Sequence, residues 1–334
     1  MEPGDRKYRP VLLDSRDDPE RQYWIVDGEF WGAARFSGRD YKKLSQAAGR
    51  DMEAPRETRE MEDIQRRLAH MDELGIDVQV LYPSIFITAG TTRPEIDVAI
   101  CRGYNRWLAH IWQQSAGRLP WVCALPFLSM PDALDELRWS KERGAVGVFM
   151  RAVEGERVLH DPYFFPLYEE AQRLDCPIAV HIGNSNANMT SLLAQHTPGG
   201  GTFQSLRLAL VGAFHGIVST GVPDRFPRLR FGFIEAAAQW IPYVLSDLQR
   251  RRPGVHGGEL LRKNRLYVTC QTNEDLGGLI GLVGEDNLLI GTDYGHNDAA
   301  SELKALRTLK TDGRITPQQY EKIVFHNPTA FYGL

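Results

Sequence analysis

Residues 177–182 read Pro177-Ile178-Ala179-Val180-His181-Ile182, a short apolar run that admits one polar side chain, close to its carboxyl end. Seven other stretches share its character: residues 24–28, 77–82, 121–125, 146–150, 230–234, 266–270 and 288–291. Each is mostly apolar on both faces and is bounded by Gly, Pro, Asp or Asn, the pattern of parallel strands covered on both sides. Between them the period changes. Residues 58–74 place Met61, Ile64, Leu68, Met71 and Leu74 three or four apart, with Gly75 as a stop. Residues 95–114 carry Ile96, Ile100, Tyr104, Trp107, Leu108 and Ile111 on one helical face, and segments 132–143, 163–174, 204–218, 236–250 and 274–283 continue the series. Eight alternations of this kind predict an α/β fold closed as a (β/α)8 TIM barrel. An open doubly wound sheet is the alternative, but no G-x-G-x-x-G follows the first strand.

The expected organisation is an N-terminal extension, residues 1–23, before a single barrel domain, residues 24–334. Residues 36–56 and the Gly-rich segment 184–203 read as long loops over the mouth of the barrel. The 334 residues are 43% hydrophobic and 25% charged, enough for a sizeable core. A net charge of −4 is too mild to point to nucleic acid or an anionic membrane. Cys101, Cys123, Cys176 and Cys270 are scattered without a C-x-x-C pair, which reads as buried reduced thiols. No apolar stretch approaches the roughly 20 residues of a membrane span, and the N-terminus is too polar for a signal peptide. A cytoplasmic protein is expected.

In a parallel barrel, chemistry gathers where strands end. The first strand runs into Asp27-Gly28-Glu29, whose carboxylates share one face if the chain stays extended. The fifth ends at His181, the sixth at Glu235, and the eighth runs into Asp293-Tyr294-Gly295-His296. Carboxylates facing one another repel, and a cation at their centre resolves the conflict. Plainer roles compete: Asp293 or Asp298 as a helix cap or turn residue, Glu235 as the partner of a nearby Arg. His181 is favoured as a ligand because it ends an apolar strand. His70, His110, His160, His196, His215, His256 and His326 read as ordinary histidines.

The segments IVDGEF (25–30), MDELGIDVQVLYPS (71–84), YNRWLA (104–109), IAVHIG (178–183), GVPDRFPRLRFGFIEAAAQWIPYVL (221–245), GTDYGH (291–296) and HNPTAFYGL (326–334) together resemble the amidohydrolase superfamily. The resemblance is to its amidohydrolase-related branch, which includes aminocarboxymuconate semialdehyde decarboxylase and the resorcylate decarboxylases. It implies a distorted barrel with a divalent metal at its mouth. It also implies ligand positions at Asp27, Glu29, His181 and Asp293. Where hydrolases of the family have H-x-H, this chain has Asp27-x-Glu29, and strand six offers Glu235 where a His is common. The resulting donor set, Asp27, Glu29, His181, Glu235, Asp293 and His296, is rich in hard oxygen and resembles that of the TIM-barrel diiron monooxygenases.

The leading expectation is therefore a dinuclear non-haem iron, or Mn/Fe, monooxygenase. It would use O2 to hydroxylate an unactivated carbon of a small or CoA-linked carboxylic substrate. The alternative is a mononuclear Zn- or Mn-dependent decarboxylase or hydrolase in which Asp293 is a ligand or the acid/base. A third class is a barrel without catalysis that serves as a subunit partner. Phe30, Trp31, Tyr82, Phe86 and Tyr294 are candidates to line an apolar pocket. Arg151 is a candidate partner for a substrate carboxylate or phosphate, or else for Glu154 or Glu156. The aromatic helical faces carrying Trp107, Trp112 and Trp139 are compatible with a homodimer.

Overall fold

Residues 22–35 double back on themselves. In the computed structural model, which describes residues 1–35, 38–195, 202–251, 255–296 and 300–334, strand β2 (Gln22–Val26) turns at Asp27-Gly28 into β3 (Glu29–Arg35). The two pair antiparallel, and β1 (Val11–Asp14) joins the outer edge of β2 with Leu12 opposite Trp24. Asp27 and Gly28 have φ of 53° and 83°. Two consecutive left-handed residues make the tight hairpin loop whose twist matches the flanking strands, and Asp-Gly is a preferred pair for it. The stretch expected as the first parallel strand is thus half of a hairpin, and residues 1–23 supply its edge strand.

The chain divides into two compact units, the first made of Met1–Ala145 and Thr292–Lys304. Beyond the hairpin, this unit holds helix Ile64–Leu74, opened by Asp63, whose side chain accepts from the Arg66 N–H, and closed by Gly75 at φ 72°. The strand expected at 77–82 shrinks to one parallel bridge between Leu81 and Trp121. Trp121 opens β4 (Trp121–Ala124), which is buried throughout. Helix Pro94–Gln114 buries Ile96, Ile100, Leu108 and Ile111, as its period requires. Residues 36–56, expected as a loop, include helix Gly38–Ala48.

The second unit consists of Val146–Gly291 and Ala305–Leu334. Here β5 (Ala145–Glu154), β7 (Ile178–Asn184), β8 (Phe231–Ile234), β9 (Leu266–Cys270) and β10 (Leu288–Ile290) pair in that order, every pair parallel. The short β6 (Arg157–Val158) folds back antiparallel on β5. Each parallel strand lies beside the one before it in sequence, whereas a doubly wound sheet reverses its order at a switch point. All seven residues of β7 are buried. Tyr168, Phe149, Phe214, Phe231, Phe233 and Phe331 form the large side chains of this unit's core. Segment 184–203 includes helix Ala187–Ala194, capped by Asn186, while His196 and Asp298 lie outside the described residues. All four cysteines are buried. No described helix is long and apolar enough to cross a membrane.

Candidate metal and catalytic site

The second unit brings two of the expected residues together. Register sets His181 of β7 opposite Ile234 of β8, so Glu235 follows directly. His181 Nδ1 lies 2.9 Å from the Ile182 carbonyl oxygen. A carbonyl only accepts, so Nδ1 carries the hydrogen and the lone pair of the neutral ring is on Nε2. That Nε2 lies 2.7 Å from Glu235 Oε2, with both side chains over 90% buried. Two lone pairs facing each other at this distance repel, and a shared proton or a bound cation is required between them.

Glu235 is held in place by its backbone. Its φ is 71°, a left-handed value rare for a residue with a long side chain. Its N–H donates to Thr269 Oγ1 at 2.8 Å, and its carbonyl accepts from Arg207 Nη1 at 3.0 Å. Just beyond, the buried Glu274 carboxylate accepts three backbone N–H groups, from Ala238, Gln239 and Gln271, at 2.7–2.8 Å. The loop after β8 is thereby fixed from below.

The first unit holds the other pair. Asp293 also has left-handed backbone, φ 47°. Its Oδ1 lies 2.6 Å from His296 Nδ1, and its Oδ2 accepts from the Ser301 hydroxyl at 2.8 Å. The His296 N–H donates to the Asp293 carbonyl, 3.2 Å, which closes the turn between them.

Asp27 and Glu29 have a different setting. Asp27 sits in the hairpin turn, where Arg93 Nη1 and Thr91 Oγ1 donate to its two oxygens, each at 3.1 Å. Glu29 opens β3 opposite Val26 and is exposed. The same-face argument fails at this point because the chain reverses between the two residues. Arg151 is taken up by Glu154, with Nη2–Oε2 at 2.7 Å inside a buried pair. Burial pushes the Glu154 carboxyl up, against the pull of Arg151. Trp31 and Phe86 meet edge to face at 5.1 Å, as do Phe86 and Tyr104, while Phe30 is exposed. His215 pairs with Asp247 at 3.0 Å.

Several positions that shape these pairs carry little signal in the sequence. Thr269, Arg207 and Glu274 act on backbone groups of distant segments, and Ser301 acts on one oxygen of Asp293 from eight residues away. Glu274 alone leaves a trace, as an acid in Gln271-Thr272-Asn273-Glu274-Asp275 just past a strand end.

Within each unit the donor chemistry fits a divalent cation: in the second, an imidazole nitrogen with its lone pair directed at a carboxylate; in the first, a carboxylate beside an imidazole. Solved structures agree on the architecture. An amidohydrolase from Mycobacterium avium subsp. paratuberculosis superposes with a TM-score of 0.78 at 17% identity, covering 100% of this chain and 93% of that chain. A dihydroxybenzoic acid decarboxylase from a Polaromonas species, solved with bound manganese and an inhibitor, gives a TM-score of 0.65 at 20% identity, covering 90% and 91%. This likeness shows the fold, an amidohydrolase-like (β/α)8 TIM barrel of the α/β class. The amidohydrolase family pattern matches residues 51–334, and the chain belongs to that family. A curated relative, the 2-amino-3-carboxymuconate-6-semialdehyde decarboxylase of Dictyostelium discoideum, is 23% identical over 285 residues, 80% of this chain and 76% of its own length.

Two of these relatives are decarboxylases, one of them solved with manganese, and they overturn the expectation of an iron monooxygenase with O2 and an acyl-CoA substrate. The physical reason is plain. Of the four carboxylates that suggested a pair of irons, Asp27 lies in a hairpin turn and Glu29 opens the strand after it, and both precede the segment that matches the family.

Proposed function

We propose that this protein is a divalent-metal-dependent decarboxylase of a small carboxylic acid. Support comes from the buried His181–Glu235 contact, two acceptors that need a cation or a proton between them, in a chain whose curated relative is a decarboxylase. The proposed metal-binding residues are His181 and Glu235 of the second unit and, taken by itself, Asp293 of the first. A divalent metal bound by such donors would supply Lewis-acid polarisation of a substrate oxygen. Thr269 and Arg207 keep Glu235 oriented through its backbone, and Ser301 fixes one oxygen of Asp293. In the reaction the bond to the carboxyl carbon breaks, CO2 leaves, and its bonding electrons remain on the substrate carbon. A proton then takes the vacated position. That proton is drawn from solvent.

The test is to supply the purified protein with Mn2+ and a panel of hydroxylated benzoates and unsaturated dicarboxylic acids under argon. Release of CO2 without O2, with one solvent deuterium incorporated per turnover in D2O, is the expected result. Product oxygen drawn from water, with no CO2, would indicate hydrolysis and sink the reading.

A further inference from the structure

Within the first unit, both neighbours of Asp293 are tied to one cluster. Tyr294 Oη lies 2.7 Å from Thr58 Oγ1 and 2.6 Å from His70 Nδ1. The hydrogens can be assigned by elimination. The Thr58 hydroxyl donates to the Pro55 carbonyl at 2.7 Å, so it accepts from the phenol. The phenol oxygen in turn accepts from His70 Nδ1–H. Arg67 covers the ring, its guanidinium carbon 3.4 Å from the centroid. Its terminal nitrogens donate to the Thr58 carbonyl at 3.1 Å and to Gln79 Oε1 at 2.7 Å. Gln79 Nε2 then donates to Thr292 Oγ1 at 3.0 Å. Tyr294 and Thr292, on either side of Asp293, are thus anchored to side chains on and beside helix Ile64–Leu74.

The make-up of this cluster is costly for packing alone. Arg67 is 3% exposed and its Nε has no hydrogen-bond partner among the described residues. Burial pulls its guanidinium down to about 10. An apolar side chain would fill the same space without burying a charge. What the cluster does achieve is to restrain a residue whose left-handed backbone needs over-determined surroundings.

We propose that Arg67, His70, Thr58 and Tyr294, with Gln79 on the other side, form a positioning brace that holds Asp293 in its left-handed conformation and so presents its carboxylate for metal binding. The inference rests on Asp293 being a metal ligand, as proposed above. None of the brace residues is assigned a contact with substrate.

Manganese binding to the full chain, followed by the electron paramagnetic resonance signal of the free ion, tests it. Tyr294→Phe, His70→Ala and Gln79→Leu should each weaken binding about 10-fold or more, at unchanged circular dichroism. His70→Asn places an amide N–H where Nδ1–H was and should recover most of the lost affinity. Tyr294→Phe removes a single oxygen, so it carries the test if His70→Ala fails to fold. Lower thermal midpoints with unchanged manganese affinity in Tyr294→Phe and His70→Ala would overturn the brace, leaving a merely structural cluster. His70→Asn as weak as His70→Ala would overturn it too. Asp293→Asn separates the two levels of inference. If it binds manganese as tightly as the unaltered chain, the ligand assignment fails and the brace with it. If it loses manganese while the brace variants do not, only the brace fails.

Discussion

The ring of Phe331 occupies the space that a side chain on Gly232 would fill: a Cβ at position 232 would lie 2.4 Å from Phe331 Cζ. Gly232 is central in β8, three residues before Glu235, and Phe331 is fully buried in helix Asn327–Tyr332. We expect Gly232→Ala to destabilise the protein by about 1–3 kcal/mol through overpacking. Urea unfolding measures this. Adding Phe331→Leu should cost less in the Gly232→Ala background than alone, since the two side chains compete for one volume. Strict additivity would mean the ring moves aside freely.

The His181–Glu235 contact predicts opposite effects of one substitution on metal and on fold. Glu235→Gln offers an amide N–H to the Nε2 lone pair, replacing repulsion by a hydrogen bond. Manganese affinity should fall, while the thermal midpoint of the metal-free protein holds or rises. A variant that keeps its manganese would remove Glu235 from the ligand set. His181→Ala should also lose manganese.

The hairpin provides the contrasting case. Asp27→Asn retains a residue that tolerates the left-handed turn beside Gly28 and gives up the exposed ion pair with Arg93, while its one remaining oxygen can still accept from Thr91. Manganese binding and thermal midpoint should match those of the unaltered chain. A clear loss of manganese would return Asp27 to the ligand set.

Asp247 predicts a pH dependence of stability. Arg251 chiefly, with His215 and Arg250 assisting, holds its carboxyl down at about 2, below the ordinary 3.8. A depressed carboxylate contributes stability that is present above its unfolded pKa and is lost as pH falls through the folded one. The stability difference between the unaltered chain and Asp247→Asn should therefore be fully present above about pH 5 and close as pH falls toward 2. Thermal melts of both proteins between pH 2 and 6 measure the gap. A gap that widens on acidification would contradict the assignment.

What could be read from the sequence tracks how local the determining forces are. Residues 266–270 appear as β9 with the expected bounds because the run is apolar on both faces and ends abruptly. Residues 24–28 share that apolar character but run into Asp27-Gly28, and the left-handed preference of that pair outweighs it. Residues 77–82 carry Asp77 and Gln79 at alternate positions, and only Leu81 retains a strand contact. In the site, His181 and Glu235 stood out because each is a polar group ending an apolar strand. His70 did not, since its significance comes from Tyr294, 224 positions away. Helix periodicity cannot distinguish a histidine that meets a phenol from one that meets water.

The left-handed backbone at Glu235 and Asp293 bears on how this protein can be engineered. Glycine relieves such strain at either position, and asparagine tolerates it at the second. A selection for heat resistance alone would therefore favour Glu235→Gly or Asp293→Asn, the exchanges that delete the proposed donors. At these two positions thermal robustness and chemistry are in direct opposition, and a library screened only by melting temperature would erode the site while improving the scaffold.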